Sequence, residues 1–210
     1  MRLVLIRHAE SEANTRLDVV GGQVNETPLT QKGIGQAELL GKRLLKQQIQ
    51  FKEVHSSIAV RAAHTARLAC QTAGFDLNKI QYTDTLVEIS QGVWTGMPRT
   101  EVYTPETLGI ISQNPWEFKP PQGESQRDVE ERAWGYLEQN IFSRTWQPED
   151  RVAVFAHGIV IKCIIKRMLS SEPAMTWRIN IENTSLTTFH LRENGWFIDS
   201  INDFGHLLFE

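Results

Sequence analysis

Arg7 and His8 stand where the apolar run Leu3-Val4-Leu5-Ile6 gives way to the polar stretch Ala9-Glu10-Ser11-Glu12-Ala13-Asn14. Far downstream a second apolar run, Val152-Ala153-Val154-Phe155-Ala156, stops at His157-Gly158. An imidazole with one unprotonated nitrogen is a competent nucleophile, and a free pKa of about 6.5 keeps it largely neutral at physiological pH. A guanidinium beside it is a planar, permanent charge that binds oxyanions in pairs. Two strand-like segments that each end in a histidine, one backed by an arginine, therefore point to a site that handles a phosphate group.

A phosphomonoester carries about two negative charges at neutral pH, and its transfer depends mainly on positioning and neutralising the equatorial oxygens. Arg7 and Arg61 have the chemistry for this, and the helix expected after His157-Gly158 adds backbone N–H donors. No metal or other cofactor is then called for. His8 is expected to have its other nitrogen held by a carbonyl, which fixes the tautomer. His157, protonated, would add a charge-assisted hydrogen bond to the transferring group. An alkoxide is a poor leaving group, so an acid is needed, and Glu88 is the candidate.

These residues need elements that bring them together. Strand and helix signals alternate along most of the chain, which predicts an α/β fold of three layers, a mostly parallel central sheet with helices on both faces. Thr30 reads as the cap of a helix whose stripe is Ile34, Ala37, Leu40, Leu44 and Leu45. A strand is expected at 52–56, a helix at 58–73 capped by Ser57 and ended by Gly74, and a strand at 80–84. Ser125 with Asp128 resembles a capping box opening a helix to about Asn140, with Val129, Ala133, Trp134 and Leu137 buried. A strand at 152–156, an apolar helix at 159–169 and a hairpin turning at Asn194-Gly195 complete the pattern. In open α/β sheets ligands sit beyond the carboxyl ends of the strands, which places His8, Ser56-Ser57, the Glu88 loop and His157 along one edge, with Arg61 in reach.

The 210 residues fit a single domain over 1–210. Residues 97–124, which carry Pro98, Pro105, Pro115, Pro120 and Pro121, read as an irregular excursion, a lid or specificity segment. With 40% hydrophobic and 22% charged residues the chain has the profile of a soluble globular protein. A net charge of -3 gives no global attraction to nucleic acid or anionic lipid, so a small phosphorylated ligand is the expected partner, not nucleic acid or a membrane. The oligomeric state stays open. The apolar start breaks at Arg7, too soon for a signal peptide. Cys70 and Cys163 have no metal-ligand spacing, so two reduced thiols and a cytoplasmic setting are expected.

The chain resembles the histidine phosphatase superfamily, also called the phosphoglycerate mutase-like family. The resemblance rests on an ordered set: Arg7-His8-Ala9-Glu10 with Asn14, Pro28-Leu29-Thr30 with Gly33, Ser56-Ser57 with Arg61-Ala62 and Thr65, Leu86-Val87-Glu88 before Gly92-Val93-Trp94-Thr95-Gly96, and His157-Gly158. Gly123-Glu124-Ser125 and Asn183-Thr184-Ser185 fall where relatives carry similar short signatures. The resemblance implies a transiently phosphorylated His8, a phosphate pocket completed by Arg7, Arg61 and His157, and Glu88 as proton donor. It also implies substrate contacts from Asn14, Ser11, Gly22 and Gly158. Ala9 stands where the family usually has Gly, which would crowd the backbone if that position needed an unusual conformation.

The expected activity is that of a metal-independent phosphomonoester hydrolase of the histidine acid phosphatase type. The alternatives are a phosphoglycerate mutase and a non-catalytic phospholigand-binding module. Mutases of the family typically carry an Arg-His-Tyr-Gly-like segment after the acid, where this chain has Ile89-Ser90-Gln91-Gly92. Among other polar and aromatic residues, His55 and His190 read as structural strand residues, and His64 as solvated or one layer behind the pocket. His206 approaches from the tail. Trp94 and Trp116 either line the mouth or pack, and Lys162, Lys166 and Arg167 read as one solvated helix face.

Overall fold

The computed structural model describes residues 1–208. It is an α/β fold around one six-stranded sheet of order β3-β2-β4-β1-β5-β6. The strands are β1 (Arg2–Arg7), β2 (Glu53–Ser57), β3 (Ile80–Thr83), β4 (Arg151–Ala156), β5 (Leu186–Arg192) and β6 (Gly195–Asp203). β1 to β4 run parallel, and β5 and β6 close one side antiparallel.

The central strands are apolar without interruption because both of their faces are covered. Leu3 and Leu5 face α6 (Gln126–Leu137) and α7 (Gly158–Met168), while Val4 and Ile6 face α2 (Gln31–Lys46) and α3 (Val60–Thr72). β4 divides in the same way, with Val152 and Val154 on the first side and Ala153 and Phe155 on the second. A short helix, α1 (Glu12–Thr15), follows the first histidine, and the starts of the longer helices follow local chemistry. The Thr30 hydroxyl accepts from the Gly33 N–H at 2.9 Å. Ser125 and Asp128 exchange backbone-to-side-chain bonds at 2.7 and 3.1 Å, so the short Asp side chain is long enough for the capping box.

Four expectations are corrected. Leu45 is 55% exposed, because the buried stripe of α2 runs through Ala37, Leu40, Gly41 and Leu44 and Leu45 lies beyond its edge. Ser57 still belongs to β2, and α3 begins after Ala59, whose N–H donates to the Ser57 hydroxyl. Trp134 is half-buried, with Phe142 against one side and the Arg167 guanidinium 4.9 Å from its ring centre. The 97–124 stretch contains two further helices, α4 (Arg99–Val102) and α5 (Pro105–Gln113). Its prolines misled as breakers, since Pro105 occupies the first turn of α5 behind the Thr104 cap, where its missing N–H has no helical partner to lose.

The start of α2 approaches the main chain that follows the first histidine so closely that a Cβ on Gly33 would lie 1.9 Å from the Glu10 carbonyl oxygen. Two residues on, a Cβ on Gly35 would meet nothing within 4 Å. Gly33→Ala is therefore expected to lower the unfolding free energy by about 1–3 kcal/mol, and Gly35→Ala to raise it by about 0.5–1 kcal/mol. Urea unfolding at constant slope distinguishes the two, and equal effects would contradict the close approach.

Candidate active site

Strand register assembles the site. Arg7 pairs with Ala156 across β1 and β4, so the next residues, His8 and His157, leave the sheet side by side. The His8 N–H donates to the Ala156 carbonyl at 3.0 Å, and the two imidazole centroids are 5.0 Å apart. On the other flank of β4, Ser56 pairs with Phe155, which delivers Ser57 to His157. Arg61 enters from the first turn of α3.

His8 is 3% exposed and its tautomer is set by its neighbours. Nδ1 lies 2.7 Å from the carbonyl oxygen of Ala9 and donates to it. The lone pair is then on Nε2, which accepts from Arg61 Nε at 3.3 Å. Burial, and after it the charges of Arg7 and Arg61, hold the imidazole well below the usual histidine range, so it is neutral. Around it, the Asn183 amide donates to the His8 carbonyl at 2.8 Å and the Ala9 N–H donates to the Thr65 hydroxyl at 3.0 Å. Ala9 does not adopt a left-handed backbone, and its methyl packs with Leu29 and Ala37, so the place of the usual Gly is filled without strain.

His157 is a neutral imidazole and not the protonated one that a charge-assisted bond would need. It is fully buried, and desolvation together with His8 and Arg61 pushes its pKa well below the ordinary value. The Ser57 hydroxyl accepts from the Ala59 N–H and lies 2.9 Å from His157 Nε2, to which it donates in the tautomer that carries the ring proton on Nδ1. In that tautomer the Nδ1–H is buried and without a hydrogen-bond partner. Arg7 Nε is a second buried donor without a partner, while Arg7 Nη1 donates to the Ile181 carbonyl. Arg61, 3% exposed, donates to the Val24 and Gly22 carbonyls at 2.6 and 3.4 Å. Orphaned donors and buried guanidinium charge suit an oxyanion.

Glu88 completes the group. Its carboxylate accepts from the Ile89 N–H at 2.9 Å and from the Ile159 N–H in the first turn of α7 at 3.4 Å. A Cβ placed on Gly158 would lie 3.8 Å from both Arg7 Nε and Glu88 Oε2, so α7 begins between the two charges. Arg7, Glu88 and Gly158 line a cleft of about 340 Å³, while His8, Arg61 and His157 are buried and do not line it. The remaining proposed contacts are less direct. Ser11 is fully buried and donates from N and Oγ to Asn14 Oδ1, so both shape the turn after His8. Gly22, at φ +124°, rests against Ile89 and Gln91, where a Cβ would come within 3.0 Å of the Ile89 carbonyl.

Arg132 escaped the sequence reading, and Glu124 and Thr184 stood in it only as parts of short signatures without a role. Arg132 donates to the carbonyls of Thr85, Val87 and Glu88 and pairs with Glu124, whose carboxylate also accepts from the Ser90 N–H. This clamp fixes the loop that carries Glu88. Thr184 holds a left-handed backbone, φ +57°, that turns its N–H to the Arg7 carbonyl, a strain of about 1–3 kcal/mol in a β-branched residue. The single solvated face expected of α7 is also corrected. Lys166 pairs with Glu130 and covers the Trp116 ring, Arg167 pairs with Glu130 over Trp134, and half-buried Lys162 lines the cleft. His206 reaches the Thr184 hydroxyl at 2.9 Å, and His55 meets the Tyr136 hydroxyl at 2.8 Å. Trp94 stacks on Phe118, and Trp116 is buried. Among the described residues no group of three or more His, Cys, Asp or Glu side chains is arranged to hold a metal ion.

The family model for the histidine phosphatase superfamily (branch 1) matches residues 3–204. Phosphoserine phosphatase 1 of Hydrogenobacter thermophilus is 28% identical over 99% of this chain and 94% of its own length. A 2,3-bisphosphoglycerate-dependent phosphoglycerate mutase of Rhizobium johnstonii is 31% identical over 78% of this chain and 77% of its own. Among solved structures, a mutant phosphoserine phosphatase from Entamoeba histolytica in complex with phosphoserine superposes with a TM-score of 0.77. It is 26% identical, and the match covers 98% of each chain.

Two buried imidazoles with depressed pKa values make folding pH-dependent. The unfolded chain takes up protons on them below about pH 6.5 and the folded chain does not, so their contribution is complete above that pH and is lost on acidification. Each site is expected to remove up to about 1.4 kcal/mol per pH unit below 6.5. Urea unfolding at pH 7.5, 6.5 and 5.5 reads this loss. The His8→Asn/His157→Asn double variant should flatten the slope without abolishing it, because His55 and His206 are shifted the same way. An unchanged slope would contradict the assignment of both as buried neutral groups.

Proposed function

The chain belongs to the histidine phosphatase superfamily, and from that premise we propose that it hydrolyses small phosphomonoesters without a metal, by way of a phosphohistidine on His8. The observation that carries the reading is the tautomer of His8, with Nδ1–H committed to the Ala9 carbonyl and the lone pair on Nε2. Arg7, Arg61 and the Nδ1–H of His157 neutralise the phosphoryl oxygens. Nε2 attacks phosphorus, the bond to the ester oxygen breaks, and the departing alkoxide takes the proton of Glu88. Water then attacks the phosphohistidine, Glu88 receives the water proton, and the P–N bond breaks to free His8 and inorganic phosphate.

Hydrolysis is favoured over transfer between phosphoglycerates by the segment after Glu88. Ile89, opposite the Arg of the mutase segment, is buried, and Ser90, opposite its His, donates its N–H to Glu124 and accepts from the Gly92 N–H, so the places where a mutase presents basic side chains are committed to packing and to the loop. Cys70 and Cys163 are buried and unbridged, with burial pushing the Cys70 thiol up to about 12, which suits a reducing cytoplasm.

With p-nitrophenyl phosphate and a chelator present, His8→Ala is expected to lower kcat by at least about a thousandfold. Undiminished turnover, or dependence on added metal, would overturn the mechanism. With 3-phosphoglycerate, phosphate release should outpace formation of 2-phosphoglycerate. The acid has its own signature. Glu88→Gln is expected to lower kcat for an alkyl phosphate about a hundredfold or more, and far less for p-nitrophenyl phosphate, whose leaving group departs unprotonated. Arg132→Met should shift the same ratio in the same direction, because it releases the Glu88 loop. Equal losses on both substrates would argue against acid catalysis by Glu88.

A further inference from the structure

The tail of the chain reaches the nucleophile through a relay that the reaction just described does not use. After β6 a short helical turn, Gly205–Leu207, packs on α2. Arg43 of α2 anchors it, since the guanidinium pairs with Asp203 and Asp203 Oδ1 also accepts the Gly205 N–H at 3.1 Å. The His206 ring then lies between Arg43 Nη1, 3.4 Å from its Nδ1, and the Thr184 hydroxyl, 2.9 Å from its Nε2.

These neighbours leave the imidazole one tautomer. The Thr184 hydroxyl has a single proton and donates it to the Asn183 carbonyl at 2.7 Å, so toward His206 it accepts, and Nε2 carries the hydrogen. A guanidinium only donates, so Nδ1 carries the lone pair. Two separate contacts thus require the same neutral ring. Burial and the Arg43 charge act in the same sense, pushing its pKa down to about 4, with Asp203 opposing them. What the ring holds is a strained residue. Thr184 keeps φ +57°, which a β-branched side chain retains only where its surroundings over-determine it. In that conformation its N–H donates to the Arg7 carbonyl at 3.0 Å, and next to it the Asn183 amide holds the His8 carbonyl. Both grips fall on the main chain that carries the first guanidinium and the nucleophile.

Resting on the hydrolase reading of the same site, we propose that His206 is a positioning residue: its Nε2–H holds Thr184 in the turn that fixes the main chain at Arg7 and His8, so the tail docked on α2 aims the nucleophile. Two inhibitors read this apart from folding, because a competitive inhibition constant does not depend on the fraction of enzyme that is folded. Vanadate accepts a fifth ligand and bonds His8 Nε2, whereas inorganic phosphate is held by hydrogen bonds alone. His206→Ala is expected to weaken vanadate relative to phosphate about tenfold and to lower kcat for p-nitrophenyl phosphate by a similar factor. His206→Gln, whose amide nitrogen donates from the place of Nε2, should restore both. In a Thr184→Ala background His206→Ala should change neither, since the acceptor is gone, and a further loss there would overturn the relay. A vanadate-to-phosphate ratio unchanged in His206→Ala, with p-nitrophenyl phosphate still hydrolysed by the parent, would overturn this assignment alone, and so would a Gln variant no better than Ala. No hydrolysis of any ester by the parent would overturn the hydrolase reading and this assignment with it.

Discussion

The parallel pairing of β1 with β4, in a register that sets Arg7 opposite Ala156, is the constraint on which the site depends. Both strands are buried on both faces, so a slip by one residue would carry Leu3 and Leu5 to the α2–α3 side and Val4 and Ile6 to the α6–α7 side. The core therefore fixes the register, and the register fixes which residues come next off the sheet. His8 and His157 need no search to find each other. β2 adds Ser57 by the same logic, since it is hydrogen-bonded to the other edge of β4. The apolar interior thus positions polar groups it does not contain.

Charge at the site follows a rule that separates its arginines from the structural ones. Arg43 is held by the Asp203 carboxylate and Arg132 by that of Glu124, and both tie segments together. Arg7 and Arg61 are held by carbonyls, of Ile181 in one case and of Val24 and Gly22 in the other. A carbonyl satisfies a guanidinium proton without cancelling its charge, so the net positive field survives inside the protein. Burial above all, with that field behind it, holds His8 and His157 neutral, and the field gives a phosphate dianion the counter-charge that the fold withholds. The arrangement costs stability, since two guanidinium groups are largely removed from water with a single carboxylate, Glu88, between them.

Most of this frame was readable from residues in order. Apolar runs ending in Arg7-His8 and His157-Gly158 marked both central strands, and the strand-end rule placed Glu88 and Arg61 at the same edge. The capping signals at Thr30 and Ser125 marked helix starts correctly because such caps are local, needing only a hydroxyl and an N–H three residues on. What could not be read was set by distance. Arg132 looked like any polar helix residue, and only the fold brings it to carbonyls more than forty positions away. The protonation state of His157 was open because sequence shows neither its complete burial nor the guanidinium charges around it. Lys162 was grouped with Lys166 and Arg167 by composition, although one helical turn separates a cleft residue from two that pair with Glu130.

The loop at 18–28 couples the two halves of the chemistry. Its Gly22 and Val24 carbonyls hold Arg61, whose Nε–H rests on the lone pair of His8 Nε2. The same Gly22 lies against Ile89 and Gln91, directly after Glu88, and it can do so only because it lacks a Cβ. Arg132 and Glu124 brace that segment from its other side. A phosphate oxygen that takes the Arg61 Nε–H is a better acceptor than a neutral imidazole, because hydrogen bonds to an ionised acceptor are about twice as strong. Taking it releases the Nε2 lone pair beside phosphorus. In the proposed mechanism one exchange of a hydrogen bond both neutralises the electrophile and frees the nucleophile, while the proposed acid stays fixed on a wall that shares its packing with the arginine's anchor.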